Sequence, residues 1–306
     1  MAALHGWLLY NSHLQTEKFL DYLAWFKERA EKRGLMVDAV ANTQLLAQFD
    51  TFSPPLNASK DFPAAYPPDF IHAADKDLIL LRQLEQLGIR SYNSSRAIGI
   101  CDDKRLMHEK LTQFDLPQPK TICAPMIYPG MPLTDRSHLT RIASLLGFPL
   151  IVKEAFGSFG QQVYLVRSEK ELADKAEELA GKPHLYQQFI SESSGEDRRL
   201  NVIGGKVAAA MRRTSANDFR ANVSSGGETK QYEPTNDEKK LAVAAAKACG
   251  TDFAGVDLLK TTKGSVVCEV NSNPHIRSIY ECTGIDVAEP MLDWIEATLT
   301  VKGSKS

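Results

Sequence analysis

The chain has 306 residues, 43% hydrophobic and 24% charged, the balance of a globular protein with room for two or three well-buried units. A formal net charge of −2 provides no global basic field, which argues against a nucleic-acid binder and leaves only local basic pockets. The five cysteines, Cys101, Cys123, Cys249, Cys268 and Cys282, are odd in number and contain no C-x-x-C pair. That argues against a disulfide framework or a structural zinc site and fits a reducing cytoplasm. No apolar run approaches the ~18–20 residues of a membrane span. Met1–Tyr10 lacks the basic region and cleavage pattern of a signal peptide, so neither membrane nor export is expected.

Taken in order, strand Gly6–Asn11 leads to an amphipathic helix near Thr16–Lys32, with Phe19, Leu20, Leu23 and Phe26 at helical spacing. Gly34 stops it, and Leu35–Val40 follows as a strand. After a proline-rich loop come strand Phe70–Ala73, helix Lys76–Leu87 and strand Ile89–Tyr92. Strands alternating with helices predict a parallel sheet. The middle third holds a helix near Asp103–Phe114, strand Lys120–Ala124, helix His138–Leu146, and strands Leu150–Glu154 and Gln162–Val166. A helix opened by the capping-box pair Ser168 and Glu171 and strand Leu185–Ile190 complete it. In the last third, Arg199–Ile203 and Val207–Arg212 form a hairpin about Gly204-Gly205. Thr235 with Glu238 caps an Ala-rich helix ending at Cys249. Strands Phe253–Leu259 and Ser265–Val270 flank a turn at Thr262-Lys263-Gly264, and a last helix covers Ala288–Thr298. The expected units are an N-terminal α/β domain over 1–105, a central subdomain over 106–190 and a C-terminal subdomain over 191–306.

The C-terminal strands carry the strongest chemical signal. Side chains alternate along a strand, so Glu269 and Asn271 share a face with Val270 opposite, and the hairpin brings Asp257 near that face. Two carboxylates and an amide oxygen on apolar strands suit a hard divalent cation such as magnesium; a solvated polar strand face is the alternative. Lys153 ends a strand and precedes a glycine-bearing turn, Gly157-Ser-Phe-Gly160, where backbone amides and a lysine could meet phosphate; a glycine-bearing hairpin with a solvated lysine is the commoner arrangement for such a pattern taken alone. The pattern is neither a Walker loop nor a dinucleotide fingerprint. Arg212-Arg213-Thr214 and Arg220-Ala221-Asn222 form a basic stretch suited to phosphate or carboxylate, or simply to solvent. Asp102-Asp103-Lys104-Arg105 reads as a helix start. The seven histidines show no paired metal spacing, and no G-x-S-x-G elbow is present. His275, after Asn273-Pro274, is a candidate pocket residue or a structural one.

The order of these signals is more specific than any one of them. Lys104, Lys153 with its glycine loop, Tyr186-Gln-Gln-Phe-Ile190, Asp197 and Arg199, Arg220-Ala-Asn222, Asp257 and Glu269-Val-Asn271 together resemble the ATP-grasp superfamily, and within it the RimK-like amino-acid ligases. The resemblance covers about residues 95–300 and is strongest in Gly255-Val-Asp257, Glu269-Val-Asn-Ser-Asn-Pro274 and Thr283-Gly-Ile-Asp286.

It implies an α/β and α+β protein, an ATP-grasp fold behind an N-terminal α/β (pre-ATP-grasp) domain. ATP would lie between two α+β subdomains. Lys104 and Lys153 would contact phosphates, Gln188 and Phe189 would offer backbone groups to adenine, and Asp197 would lie near the ribose. Arg220, Ala221 and Asn222 would lie by the phosphates and the reacting carboxylate, with Arg220 as the catalytic residue. Asp257, Glu269 and Asn271 would hold magnesium, two ions by the resemblance, with manganese as a substitute. The implied reaction joins a carboxylate and an amine, such as an amino acid, through an acyl phosphate. The carboxylate would sit on a peptide, a protein or a small molecule, and a homo-oligomer is allowed. Ser224-Ser225 replaces a basic pair common in relatives, Phe159 stands where small or polar residues are usual, and Gln188 where an acid is common. A nucleotide-binding module that senses or scaffolds without turnover is the second reading. The intact donor set and Arg220 favour the enzyme.

Overall fold

The computed structural model describes residues 4–49, 55–57, 67–157, 160–221 and 227–303. The N-terminal unit contains β1 (His5–Tyr10), α1 (Glu17–Lys32), β2 (Met36–Ala41), the short pair β3 (Leu45–Leu46) and β4 (Leu56–Asn57), β5 (Phe70–Ala73), α2 (Leu78–Gln86), β6 (Arg90–Tyr92) and α3 (Ser95–Asp102). Its sheet is parallel, in the order β2-β1-β5-β6, as alternation of strands and helices predicts. Strand β1 is apolar on both faces because both are covered: Leu8 packs with α1, while Trp7 and Leu9 pack with α2. Gly6 stands opposite Phe70, and a Cβ there would fall 2.2 Å from the Phe70 ring. The helix α3 and the strands β3 and β4 are not predicted from the sequence. Ser94 caps α3 by accepting from the Ala97 amide.

The second unit runs through α4 (Lys104–Gln113), β7 (Thr121–Cys123), α5 (Ser137–Leu146), β8 (Leu150–Glu154), β9 (Val163–Val166), α6 (Glu169–Glu178) and β10 (His184–Gln188). Its antiparallel sheet has the order β7-β10-β8-β9, with α5 and α6 on one face. Asp103 is the N-cap of α4, accepting from the Arg105 amide at 2.9 Å. Ser168 accepts from the Glu171 amide, but the Glu171 carboxylate takes the Arg167 amide instead of that of Ser168, so only half of the expected capping box forms.

The third unit contains β11 (Glu196–Ile203), β12 (Lys206–Thr214), β13 (Glu228–Gln231), α7 (Asn236–Cys249), β14 (Phe253–Thr261), β15 (Gly264–Asn271), α8 (Arg277–Thr283) and α9 (Ala288–Gly303). Thr235 and Glu238 form a complete capping box on α7. The antiparallel sheet has the order β13-β12-β11-β14-β15. Alternation divides β14 cleanly. Ala254, Val256 and Leu258 pack with Met107 and Leu111 of α4 and with Ala242, Ala245 and Cys249 of α7. Phe253 on the other face joins Phe26, Phe70 and Tyr92 of the N-terminal unit. Asp257 and Leu259, two and three turns of the pleat further on, line an open cavity. The N-terminal unit thus covers one half of this sheet face and leaves the other half to the site.

Asn93 fixes that junction. Its amide nitrogen donates to the carbonyls of Phe253 (2.8 Å) and Ser272 (2.7 Å), and its oxygen accepts from the amides of Asp252 (2.6 Å) and Phe253 (3.0 Å). Among the described residues no helix is long and apolar enough to cross a membrane.

Candidate active site

The cavity between the second and third units, about 270 Å³, is lined by Lys104, Lys153, Gln188, Phe189, Asp197, Arg220, Ala221, Asp257, Glu269 and Asn271. Asn222 lies outside the described residues, as do Ser158, Phe159, Ser224 and Ser225.

The base of the cavity is the β14–β15 ladder. Asp257 pairs directly with Glu269, and Gly255 with Asn271. A register shift follows Asp257, because Leu258 pairs with Val267 and Cys268 is left as the extra residue. This β-bulge lets Val267 and Val270 both enter the core while Cys268, Glu269 and Asn271 all face the cavity. Simple alternation would have put Cys268 and Glu269 on opposite faces. The side-chain amide of Asn271 donates to the Gly255 carbonyl at 3.3 Å, which leaves Oδ1 for a ligand. Among the described residues Glu269 meets only the Lys104 ammonium, at 3.6 Å. Gly255 is required here: a Cβ would lie 2.9 Å from Cβ of Pro274 and 3.1 Å from Cδ of Arg199.

Asp257 is more heavily engaged. Arg199 grips both its oxygens, through Nε and, at 2.6 Å, through Nη2, and Arg213 reaches Oδ2 at 3.0 Å. Burial opposes the charge on Asp257, but the two guanidinium groups outweigh it and hold the carboxyl below its ordinary value. Arg213 also forks onto Asp197 at 2.6 and 2.7 Å. Burial raises Asp197, against the pull of Arg213 and with the push of Asp257. Burial disfavours the Arg213 charge too, yet these two carboxylates raise its pKa. The carboxylate expected near a ribose is therefore locked in a buried ionic cluster. Arg213 is a site residue that sequence reading left inside a generic basic stretch. Strand alternation separates it from Arg212, since Met211 and Arg213 line the cavity and Arg212 does not.

The donor chemistry fits magnesium. Two carboxylates and an amide oxygen share one face, and among the described residues no cluster of three or more His, Cys, Asp or Glu offers a competing all-protein cage. Magnesium characteristically completes such a sparse set with water and nucleotide phosphate. Glu269 and the Asn271 oxygen are available as they stand, whereas Asp257 would have to exchange an arginine contact to serve as a ligand.

The walls supply cations. Lys104 donates to the Gly157 carbonyl at 3.0 Å, and Arg220 to the Gly160 carbonyl at 2.6 Å, so both ends of the glycine loop are tied to positive groups. Arg220 is also paired with Asp218 of its own loop at 2.7 Å. Lys153 donates to the Cys268 sulfur at 3.6 Å. Behind the lysines, His108 donates from Nδ1 to Gln118 (2.6 Å) and accepts at Nε2 from Gln187 (3.0 Å), which defines a neutral imidazole. Burial first, and then the Lys153 charge, depress its pKa to about 3. At the far end Phe189 and Phe219 meet edge to face, ring centroids 6.5 Å apart, and form an apolar wall with Leu259 and Ile190.

A cation-walled cavity between two antiparallel sheets, floored by oxygen donors and preceded by a parallel α/β unit, defines an ATP-grasp ligase. The chain belongs to the RimK-like ATP-grasp family, whose domain profile matches residues 102–295. A probable alpha-L-glutamate ligase of Aliivibrio fischeri is 34% identical over 91% of this chain and 92% of its own length. Among solved structures, D-alanine–D-alanine ligase from Bacillus anthracis complexed with ATP superimposes with a TM-score of 0.70 at 19% identity, covering 99% of each chain. The ATP-grasp ligase PsnB with a precursor variant, magnesium and ADP gives 0.69 at 18% identity, covering 97% of this chain and 99% of that one.

Proposed function

We propose that this protein uses ATP to join the amino group of L-glutamate, or a close acidic relative, to a carboxylate through an acyl phosphate. The observation that carries this reading is the meeting of Asp257, Glu269 and Asn271 with Lys104, Lys153 and Arg220 in one cavity. The choice of glutamate rests on the name of the Aliivibrio fischeri relative.

In this reading the wall of Phe189, Ile190, Phe219 and Leu259 receives adenine, with the backbone of Gln188 and Phe189 at its edge. Asp257, Glu269 and Asn271 would hold two magnesium ions, for which manganese could substitute, and the ions would supply positive charge against the phosphates. Lys104 and Lys153 exchange their present partners, a backbone carbonyl and a thiol, for phosphate oxygens. A carboxylate oxygen attacks the γ-phosphorus, the bond to the β-phosphate oxygen breaks, and ADP leaves. The amine nitrogen then attacks the acyl carbon, inorganic phosphate departs with the bonding electron pair, and the nitrogen loses its proton. Arg220 faces the negative charge that develops in both steps, where a fixed donor stabilises it most. The glycine loop excludes water that would hydrolyse the acyl phosphate.

An assay of ADP release with single carboxylates, single amines and pairs of them tests the reading. ADP release that requires both, with amide product seen by mass spectrometry, is the expected result. Undiminished turnover by Glu269→Gln would overturn the assignment of the site.

A further inference from the structure

Helix α1 turns Lys18, Asp21, Tyr22, Trp25 and Arg29 to one side, the spacing of a single helical face. That face is pinned to the segment after β15. Arg277 forks onto Asp21, with Nε at 2.8 Å, and the Trp25 indole lies between the guanidinium groups of Arg29 (4.3 Å) and Arg277 (4.0 Å). Trp25 Nε1 donates to Asp286 at 3.0 Å. The docking carries Lys18, one turn before Asp21, into the wall of the cavity beside Arg199, His275 and Ser278.

Two observations say what this end would hold. First, Lys18 and Arg199 both line this end of the cavity; the Lys18 side chain stays exposed on its solvent side, while partial burial and then the Arg199 charge lower its pKa, against Glu281. An anion between them removes that repulsion. Second, His275 makes no hydrogen bond to the described residues, and its Nδ1 is sealed from solvent. Nε2 is therefore the nitrogen left for the cavity. Burial and then the Lys18 charge keep the ring neutral, with a pKa of about 4. Positive charge in front of it favours the tautomer that turns a lone pair toward the cavity. A hydrogen-bond acceptor beside a cation complements an α-amino acid, which offers N–H donors next to a carboxylate.

We propose that this end of the cavity is the subsite for the amine substrate, where Lys18 binds the α-carboxylate of an amino acid and His275 Nε2 accepts from its amino group. The inference rests on the ligase reading and assigns the N-terminal domain a part in choosing the amine. Lys18 is a specificity-determining residue and His275 a positioning one.

The test uses the full-length enzyme with ATP, magnesium, N-acetyl-L-glutamate as a carboxylate without a free amine, and either L-glutamate or hydroxylamine as nucleophile. Hydroxylamine traps the acyl phosphate as a hydroxamate and has no carboxylate to bind. Lys18→Met is expected to lower the ratio of kcat/KM for L-glutamate to that for hydroxylamine by about 10- to 100-fold, the worth of a charged hydrogen bond, mainly through KM. L-Glutamic acid α-amide in place of L-glutamate should cost the wild type the same factor and Lys18→Met almost nothing, because the two changes remove one interaction. His275→Asn should lower the same ratio, which guards against a folding effect confined to one variant. A ratio that moves less than about threefold in Lys18→Met overturns the subsite. So does an equal dependence on L-glutamine, which would place the side-chain carboxylate there. Wild-type enzyme that forms neither amide nor hydroxamate with N-acetyl-L-glutamate or with any of a panel of N-acylated amino acids, peptides and small dicarboxylates overturns the ligase reading itself, and this inference with it.

Discussion

Arg199 grips both oxygens of Asp257, its cross-strand partner on β14, and Arg213 reaches the same carboxylate from β12. The carboxylate assigned to magnesium is thus also the counter-ion of two buried guanidinium groups. Its neighbour Glu269 has no such duty, since its nearest cation is Lys104 at 3.6 Å.

Asp257→Asn and Glu269→Gln should therefore part company in stability while agreeing in activity. Removing one partner from a buried ionic cluster leaves uncompensated charge and typically costs about 3–5 kcal/mol. Asp257→Asn is expected in that range, and Glu269→Gln within about 0.5 kcal/mol of the wild type, as for a partly exposed surface change. Both should lose ATP turnover by about a hundredfold or more, as for the removal of a group that stabilises transition-state charge. Urea unfolding curves beside an ADP-release assay check this, and equal stability losses would show that Asp257 has no structural role.

Gly255→Ala tests the close approach beneath the site. The new Cβ would lie 2.9 Å from the Pro274 ring and 3.1 Å from the Arg199 side chain, so both must shift. Overpacking of this kind costs about 1–3 kcal/mol. The displaced Arg199 can no longer hold Asp257 as it does now, so kcat should fall along with the midpoint of unfolding. A variant with normal stability and normal kcat would show that the strands yield without cost.

These two sites mark what could be read from the sequence. Alternation along Glu269-Val-Asn271 puts both polar side chains on one face, and buried Val270 behind them is as that pattern requires. The place of Cys268 was not legible, because no glycine or proline marks the bulge that turns it to the cavity. Arg199 and Arg213 stood in plain view, but their carboxylate partners lie across the β11–β12 and β11–β14 ladders, and register between strands is not a local property. Helix α3 is eight residues long with Gly99 at its centre, too short and too weak in propensity to declare itself. Lys18 looked like any exposed lysine on an amphipathic helix, and only the docking of α1 onto the segment after β15 brings it to the cavity.

Acid should weaken the fold before the carboxylates begin to titrate. His72 is fully buried, bonded to the Tyr92 carbonyl and the Tyr22 hydroxyl, and burial lowers its pKa to about 4. Burial and Lys153 lower that of His108 to about 3. In both cases the folded pKa is depressed below the unfolded value of about 6.5. Above that pH neither state is charged and no stability is lost. As pH falls below it, the unfolded chain binds protons that the folded one refuses, so the unfolded state gains. From these two histidines alone the expected loss is about 2.4 kcal/mol between pH 6 and 5, approaching the two-proton limit of about 2.7 kcal/mol per pH unit. Urea midpoints measured from pH 7.5 to 5 should fall accordingly, and His108→Gln should lower the slope by about one proton's share. A flat profile over this range would mean that both rings protonate in place.

The contact of α1 with the segment after β15 is centred on Trp25. Its ring is packed between Arg29 and Arg277, meets Tyr280 edge-on at 4.8 Å, and donates to Asp286. Trp25→Ala removes this packing together with two cation–π contacts and should cost about 3–5 kcal/mol. Asp286 keeps Arg29 at 2.8 Å, so the damage is chiefly apolar and not an orphaned charge. Trp25→Phe retains a ring between the guanidinium groups and loses only the indole donor, for about 1 kcal/mol. The consequence for activity follows from where α1 points. Its loosening moves Lys18, while Lys104, Lys153, Asp257 and Glu269 stay on elements that α1 does not carry. Trp25→Ala should therefore raise KM for the amine more than KM for ATP, measured where the variant is still folded. An equal rise in both would mean that the N-terminal domain supports the whole cavity rather than one end of it.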